Sequence, residues 1–334
     1  MRKLGVAFLL VVLILGILLI TNLNGSIEIK SSLIKEKPLD KYAFAFLKKT
    51  KFTAGNVVLG RSLNNQEDYI SQMFYFNVSG KKVSGLLNAP TKKGTYPIVV
   101  MFRGFVPKEA YATGIGTQRA GEIFAQNGFI TLAPDFLGYG ESSNPSQDSI
   151  EERFQTYTTG LSLLSSLVNL NSGLDASYSG RIKADITKVG IWGHSNGGQI
   201  ALSVLEITGR NYPTVLWAPV SKPFPYSVLY YTDEFDDHGK ALRKAVANFE
   251  NDYDIELYSP NNFYSWINAP IQIHQGTVDD AVPFKWSDQL VEDLEKLKKD
   301  VTYFTYPGDD HNLLPNGWST AAQRGLDFYK HKLL

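Results

Sequence analysis

Three short stretches of this 334-residue chain hold side chains able to do nucleophilic chemistry. The first is Gly193-His194-Ser195-Asn196-Gly197, a single serine set between glycines. A serine hydroxyl is a weak nucleophile at its own pKa, so it needs a base and a group to orient that base. Where such a serine sits on a strand–turn–helix elbow, the chain order is Ser, then Asp or Glu, then His. Downstream, "IHQGTVDDAVPF" offers Asp279 and Asp280, and "YPGDDHNLL" offers His311. The remaining histidines fit less well. His331 lies on a terminal helix and reads as solvent-exposed, His274 ends a strand, His238 falls in an insertion, and His194 fills a variable position of the elbow. Ser195 is therefore the candidate nucleophile, His311 the base, and Asp279 or Asp280 the orienting acid. An oxyanion hole needs two N–H donors aimed at the charge that develops on the attacked carbonyl. Asn196 N–H, at the start of a helix, supplies one. The loop Arg103-Gly104-Phe105 supplies the other through Phe105 N–H, with Gly104 permitting the close approach. Arg103 reads as exposed beside that loop. It could pair with a substrate carboxylate or simply bridge to a local acid.

The pentapeptide alone is a weak signal, since a glycine-rich turn can hold an incidental serine. Its surroundings are what give it weight. "KVGIW" supplies a strand before Ser195, and "QIALSVLEI" a helix after it. The same rhythm runs along the chain. "PIVVMF", "FITLA", "TVLWAP", "PIQIH" and "VTYFTY" are short apolar runs. They alternate with helical patterns around "TQRAGEIFAQNG", over 149–170, from Asn196, over 284–299 and from about 317. Upstream, "DYISQMFYFNVSGKKVSGLLNAP" predicts two strands joined at Ser79-Gly80-Lys81. Apolar strands alternating with amphipathic helices imply an α/β fold with a mainly parallel sheet covered on both faces. Residues 221–268 break the rhythm and predict a small cap over the C-terminal edge of the sheet, where ligands bind in open α/β sheets.

Composition narrows the function classes. Lys+Arg and Asp+Glu both number 33, so there is no basic surplus for nucleic acid. With no cysteine, disulfides, thiolate catalysis and Cys-ligated zinc drop out. Five histidines without ligand spacing argue against a metal, and no cofactor motif is present. Arg2 and Lys3 precede an unbroken apolar or glycine run from Leu4 to Ile20. At ~1.5 Å rise per residue that run nearly spans a ~30 Å hydrocarbon core. Residues 1–22 read as an uncleaved signal anchor, with secretion after cleavage as the alternative. The positive-inside rule then puts the rest outside the cytoplasm. Residues 23–60 read as a polar, lysine-rich tether with one short helical patch, "LDKYAFAFLKK", and 61–334 as the catalytic domain.

Taken together, "GHSNGG", "YSPNNFYSWINAPIQIHQGTVDDAVPF" and "YPGDDHNL" resemble the catalytic domain of the prolyl oligopeptidase family, the dipeptidyl and acylaminoacyl peptidase group of α/β-hydrolases. The likeness runs from about Asp68 to the C-terminus. Ser259-Pro260, Pro270 and the stretch from Gly276 to Pro283 match the family pattern. That match assigns the acid to Asp279, because Val282-Pro283 must follow it at fixed distance. It also makes Asp135 and Gly138 of "APDFLGYGES" structural. The chain departs from the pattern at Arg103-Gly104-Phe105, where His-Gly-Gly is common, and at Gln275, an extra residue before the glycine. Too few residues precede the domain to hold the family's β-propeller.

The resemblance implies an α/β-hydrolase fold with a cap insertion and a serine-type peptidase acting on short peptides through an acyl-enzyme. A carboxylesterase acting on small acyl esters shares the whole triad and is the alternative. A non-catalytic binding protein on the same scaffold is a further one, since fold does not fix function. The oligomeric state is not legible in the sequence.

Overall fold

The computed structural model describes residues 37–334, of which residues 39–334 form one compact unit. Among the described residues nine strands make one sheet. They are β1 (Val58–Asn65), β2 (Tyr69–Val78), β3 (Lys81–Pro90), β4 (Gly94–Phe102), β5 (Ile130–Pro134), β6 (Ile182–His194), β7 (Thr214–Trp217), β8 (Ile271–Gly276) and β9 (Val301–Tyr306). Their order across the sheet is β1-β2-β3-β5-β4-β6-β7-β8-β9. The pairings from β1 to β3, and of β3 with β5, are antiparallel. All others are parallel.

The apolar runs explain this layout. β5, β7 and β8 are buried along their whole length, as strands with helices on both faces must be. One face packs helices Ser149–Ser166 and Asn196–Thr208. The other packs Gln118–Gln126 and Trp318–Leu333, where Phe124 meets Tyr329 edge-on at 5.4 Å. Each such fully buried aromatic contributes roughly 2–3 kcal/mol. β4 is flanked by β5 on one side and β6 on the other, so the chain reverses its direction of travel between β4 and β6. That switch point opens a crevice at the strands' C-terminal ends. The loops after β4, β6, β8 and β9 all emerge at this edge, and they carry Arg103-Gly104-Phe105, Ser195, Asp279 and His311. Between β7 and β8, residues 218–270 hold the short helix Tyr226–Leu229, the helix Lys240–Asp252 and several 3₁₀ turns.

The reading of 23–60 as a tether is corrected where it is described. Leu39, Tyr42, Phe44, Leu47 and Val57 are buried in the main core. Helix Phe44–Lys49 directs its lysines outward and its apolar face inward, so a lysine-rich stretch still packs. Phe44 stacks on Phe263 at 4.8 Å. Ser165 Oγ donates to Phe52 O at 2.7 Å, and Gly55 N donates to Ser166 Oγ at 3.0 Å. The domain thus begins near Leu39 rather than at residue 61. No helix of the described residues is long and apolar enough to cross a membrane. The expected anchor over residues 1–22 lies outside the described residues.

Candidate active site

Ser195 occupies a sharp turn between β6 and helix Asn196–Thr208, with φ 57° and ψ −123°. A non-glycine residue at positive φ is strained, and surrounding bonds must impose it. Here Ser195 N donates to Trp217 O at 2.9 Å, while Ser195 O accepts from Gly198 N at 2.9 Å and Val220 N at 3.0 Å. The flanking glycines are required by packing. A Cβ on Gly197 would lie 1.9 Å from Phe102 O, and one on Gly198 would lie 2.6 Å from Pro219 Cβ. The helix can therefore pack this tightly against the end of β4 and the loop after β7 only through bare Cα atoms.

The acid and the base come together. His311 Nδ1 lies 2.9 Å from Asp279 Oδ2. A carboxylate only accepts, so Nδ1 carries the hydrogen and Nε2 is left free to take a proton. The Asp279 side chain is fully buried and its oxygens are saturated. Ala281 N and Val282 N donate to Oδ1 at 2.9 and 2.8 Å, and Gln275 Nε2 donates to Oδ2 at 2.8 Å. Asp280 is exposed. Gly276 lets the two loops approach, since a Cβ there would lie 2.3 Å from both Asp309 O and Asp310 O. Among the described residues the Ser195 hydroxyl makes no hydrogen bond to His311. Such contacts often tighten only when substrate is bound.

Two residues of this region were not singled out for a role by the sequence. Gln275, visible there only as an extra residue, bridges Asp279 to Ser287, whose Oγ donates to Gln275 Oε1 at 2.7 Å. His194 Nε2 lies 3.1 Å from His311 O, and the two rings are 4.7 Å apart. Burial, and then the neighbouring His311, push the His194 pKa down to about 4, so it is neutral near pH 7 and donates from Nε2. His274 is buried between Tyr306 OH at 2.7 Å and Gln272 Oε1 at 2.9 Å, far down its strand. Desolvation lowers its pKa to about 3, which marks it as a neutral core residue.

A Cβ on Gly104 would lie 3.0 Å from Ser195 Cβ and 3.5 Å from its Oγ, so this loop passes directly beside the hydroxyl. Among the described residues, neither Asn196 N–H nor Phe105 N–H donates within the protein. The expectation of an exposed Arg103 is corrected: it is 5% exposed. Its guanidinium donates to Gly104 O and Asp135 O, both at 2.9 Å. It also lies over the rings of Tyr139 and Tyr111, at 4.0 and 4.4 Å from their centroids. Asp135 is itself buried and accepts from Ser84, Tyr111 and Thr113. Burial raises its pKa, and these donors oppose the rise. Arg103 is thus a structural brace under the loop, with Nη1 and Nη2 committed to the backbone and Nε buried without a partner.

Two cavities adjoin this edge of the sheet. One of 530 Å³ touches His194, Asn312 and Trp318 and does not reach Ser195. The other, of 230 Å³, includes Phe105 and Asn196 in its wall and so borders the elbow itself. On the Asp279 side, Val282 and Trp286 pack with Tyr231, and the Trp286 ring also meets Tyr226 and Tyr230. Cap aromatics therefore lean over the acid loop.

An elbow serine at the switch point, facing a buried Asp–His pair, defines a serine hydrolase of the α/β-hydrolase fold. The chain belongs to the prolyl oligopeptidase family, whose description matches residues 118–334. It is 26% identical over 242 residues to the uncharacterized peptidase YtmA of Bacillus subtilis (strain 168), covering 71% of this chain and 84% of that one. Among solved structures it is similar to the acylaminoacyl peptidase of Pyrococcus horikoshii, with TM-score 0.57 and 18% identity over 80% of this chain and 42% of that one. Acetyl xylan esterase 1 from a Thermoanaerobacterium species shares the fold too, with TM-score 0.56 and 16% identity over 87% and 93%.

Proposed function

We propose that this hydrolase cleaves short peptides through an acyl-enzyme on Ser195. The observation that carries this reading is the buried Asp279–His311 pair at the edge where Ser195 is held at positive φ. Ser195 Oγ attacks the scissile carbonyl carbon as His311 Nε2 takes its proton. Asp279 holds the imidazole in the working tautomer and stabilises the imidazolium. Asn196 N–H and Phe105 N–H receive the negative oxygen, each donor being worth ~3–4 kcal/mol in comparable sites. His311 then protonates the departing amine. Water, deprotonated by His311, attacks the ester and releases the acid and free Ser195.

The amide preference rests on family membership and on the relative called a peptidase. The triad chemistry itself would serve an ester equally well. Side-by-side kinetics on peptidyl p-nitroanilides and p-nitrophenyl butyrate test the point. Turnover of both supports the peptidase, whereas turnover of the ester alone moves the protein to the carboxylesterases. The apolar run Leu4–Ile20 further motivates a catalytic domain that works outside the cytoplasm. Protease digestion of the domain on intact cells is the expected outcome, and full protection would rule that placement out.

A further inference from the structure

The 230 Å³ cavity beside the elbow lies between the loop after β4, the helix Ser149–Ser166 and the cap. Phe105 and Asn196 form part of its wall, and Ile200, Val228 and Leu242 give it apolar surface. Three charged residues also line it, and they differ in how they are neutralised. Arg103 is held by two backbone carbonyls and lies close enough to the Asp135 carboxylate to act on its pKa. Glu152 pairs with Lys108 at 3.3 Å. Arg153 has no carboxylate partner among the described residues. Its Nη2 donates to Gln199 Oε1, and Gln199 is in turn fixed by donating to Lys222 O at 3.1 Å. Nε is buried without a partner in both arginines, so the nearby Asp135 carboxylate is what separates Arg103 from Arg153.

A partly buried guanidinium without a counter-charge is costly, and a dry, unpaired donor adds to the cost. The fork is also held in place by Gln199, which reduces what an incoming anion must spend on ordering it. We infer that this cavity is the subsite for the acyl part of the substrate, and that Arg153 selects acyl groups carrying a carboxylate of their own. The chemical class is a short apolar chain ending in an anion, such as a glutaryl group or an acidic residue donating the scissile carbonyl. The chain lies along Ile200, Val228 and Leu242, and its carboxylate meets Arg153. The assignment of the acyl end rests on the acyl-enzyme reading above, while the affinity for a carboxylate does not.

Calorimetric titration of glutarate and the neutral butyramide into the full chain separates the two readings, because binding needs no turnover. Glutarate is expected to bind about tenfold or more tighter, the range of a charge-assisted hydrogen bond. Arg153→Gln should collapse that ratio, and Arg153→Lys should restore part of it. The mono-p-nitrophenyl ester of glutaric acid against p-nitrophenyl butyrate gives the matching ratio of kcat/KM. An Arg153→Gln ratio equal to that of the parent protein in titration, or no glutarate preference at the outset, would overturn the inference. Equal losses on both ligands would reduce Arg153 to a packing role and overturn it too. Should Arg153→Gln fail to fold, the Arg153→Lys ratio decides alone, and an unchanged ratio there counts against the guanidinium fork. A glutarate preference without Ser195-dependent turnover would leave the subsite standing and sink the acyl-enzyme reading instead.

Discussion

The strands that carry Asp279 and His311 lie on one side of β6, and the strand that carries Arg103 lies on the other. The two sides of Ser195 are built by different means. On the acid side most bonds are short in sequence: Asp279 is held by Gln275, Ala281 and Val282, all within four residues of it, and only its bond to His311 is distant. On the arginine side each guanidinium depends on a distant partner, beside the bond from Arg103 to the adjacent Gly104 O. Arg103 is captured by Asp135 O, with |i−j| of 32, and Arg153 by Gln199, with |i−j| of 46. Local bonding fixes a loop into one shape and leaves a spacing that can be read as a motif. Long-range contacts decide which of two arginines lies beside a carboxylate and which does not, and no local spacing records that. On the proposed reading, the proton-moving groups lie on the first side, and one oxyanion donor and the acyl subsite on the second.

The largest test of this contrast is Asp279→Asn, which keeps the shape of the loop and removes the charge that sets the His311 tautomer. We expect kcat to fall by about 10⁴-fold, as for loss of the orienting acid in other triads. Asp280→Asn should change little, and an equal loss there would break the assignment. Next comes Gly104→Val, which forces a side chain against Ser195. A loss of about 10²–10³-fold in kcat is expected, the scale of losing an oxyanion donor. The thermal midpoint should move far less than in a core substitution.

Arg103→Leu should act on the fold and leave selectivity alone. It removes two hydrogen bonds and the charge beside buried Asp135, so urea unfolding should show a loss of about 3 kcal/mol. The ratio of glutaryl to butyryl ester turnover should stay as in the parent protein, the reverse of the Arg153→Gln outcome. A change in that ratio would return Arg103 to the substrate site. The smallest effect is in the pH dependence of stability. An unfolded histidine takes up its proton near pH 6.5. Folded His194 and His274 wait until about 4 and about 3. Between these values the unfolded chain binds more protons, so stability falls as pH drops from about 6.5 toward 3. Urea midpoints measured across that window should fall less steeply in His274→Gln.

Much of the scaffold was legible because the inner parallel strands are buried on both faces. Runs such as "PIVVMF" and "PIQIH" therefore stand out without any alternation. Phe74 and Phe76 announced β2 by their spacing, and both are buried. The segment from Leu39 to Val57 was misread as a tether because its lysines dominate the composition. The helical patch itself was visible, but with Phe44 and Leu47 one turn apart in only six residues of helix, its spacing does not show that one face is buried. β1 follows directly and is largely exposed at the sheet edge, so it carried little apolar signal. At the site, the order Ser195, Asp279, His311 was readable, and so was the choice of Asp279 over its neighbour. The roles of Gln275, His194 and Arg153 were not. Each depends on a partner that only the folded chain brings near.

The central claim is that Ser195 is the nucleophile, and covalent labelling tests it most directly. The full chain is treated with a fluorophosphonate probe, and the modified residue is located by mass spectrometry. We expect one labelled site, Ser195, with activity lost in step with labelling. Ser195→Ala should be neither labelled nor active. Labelling that persists in Ser195→Ala, or turnover retained by it, would contradict the assignment.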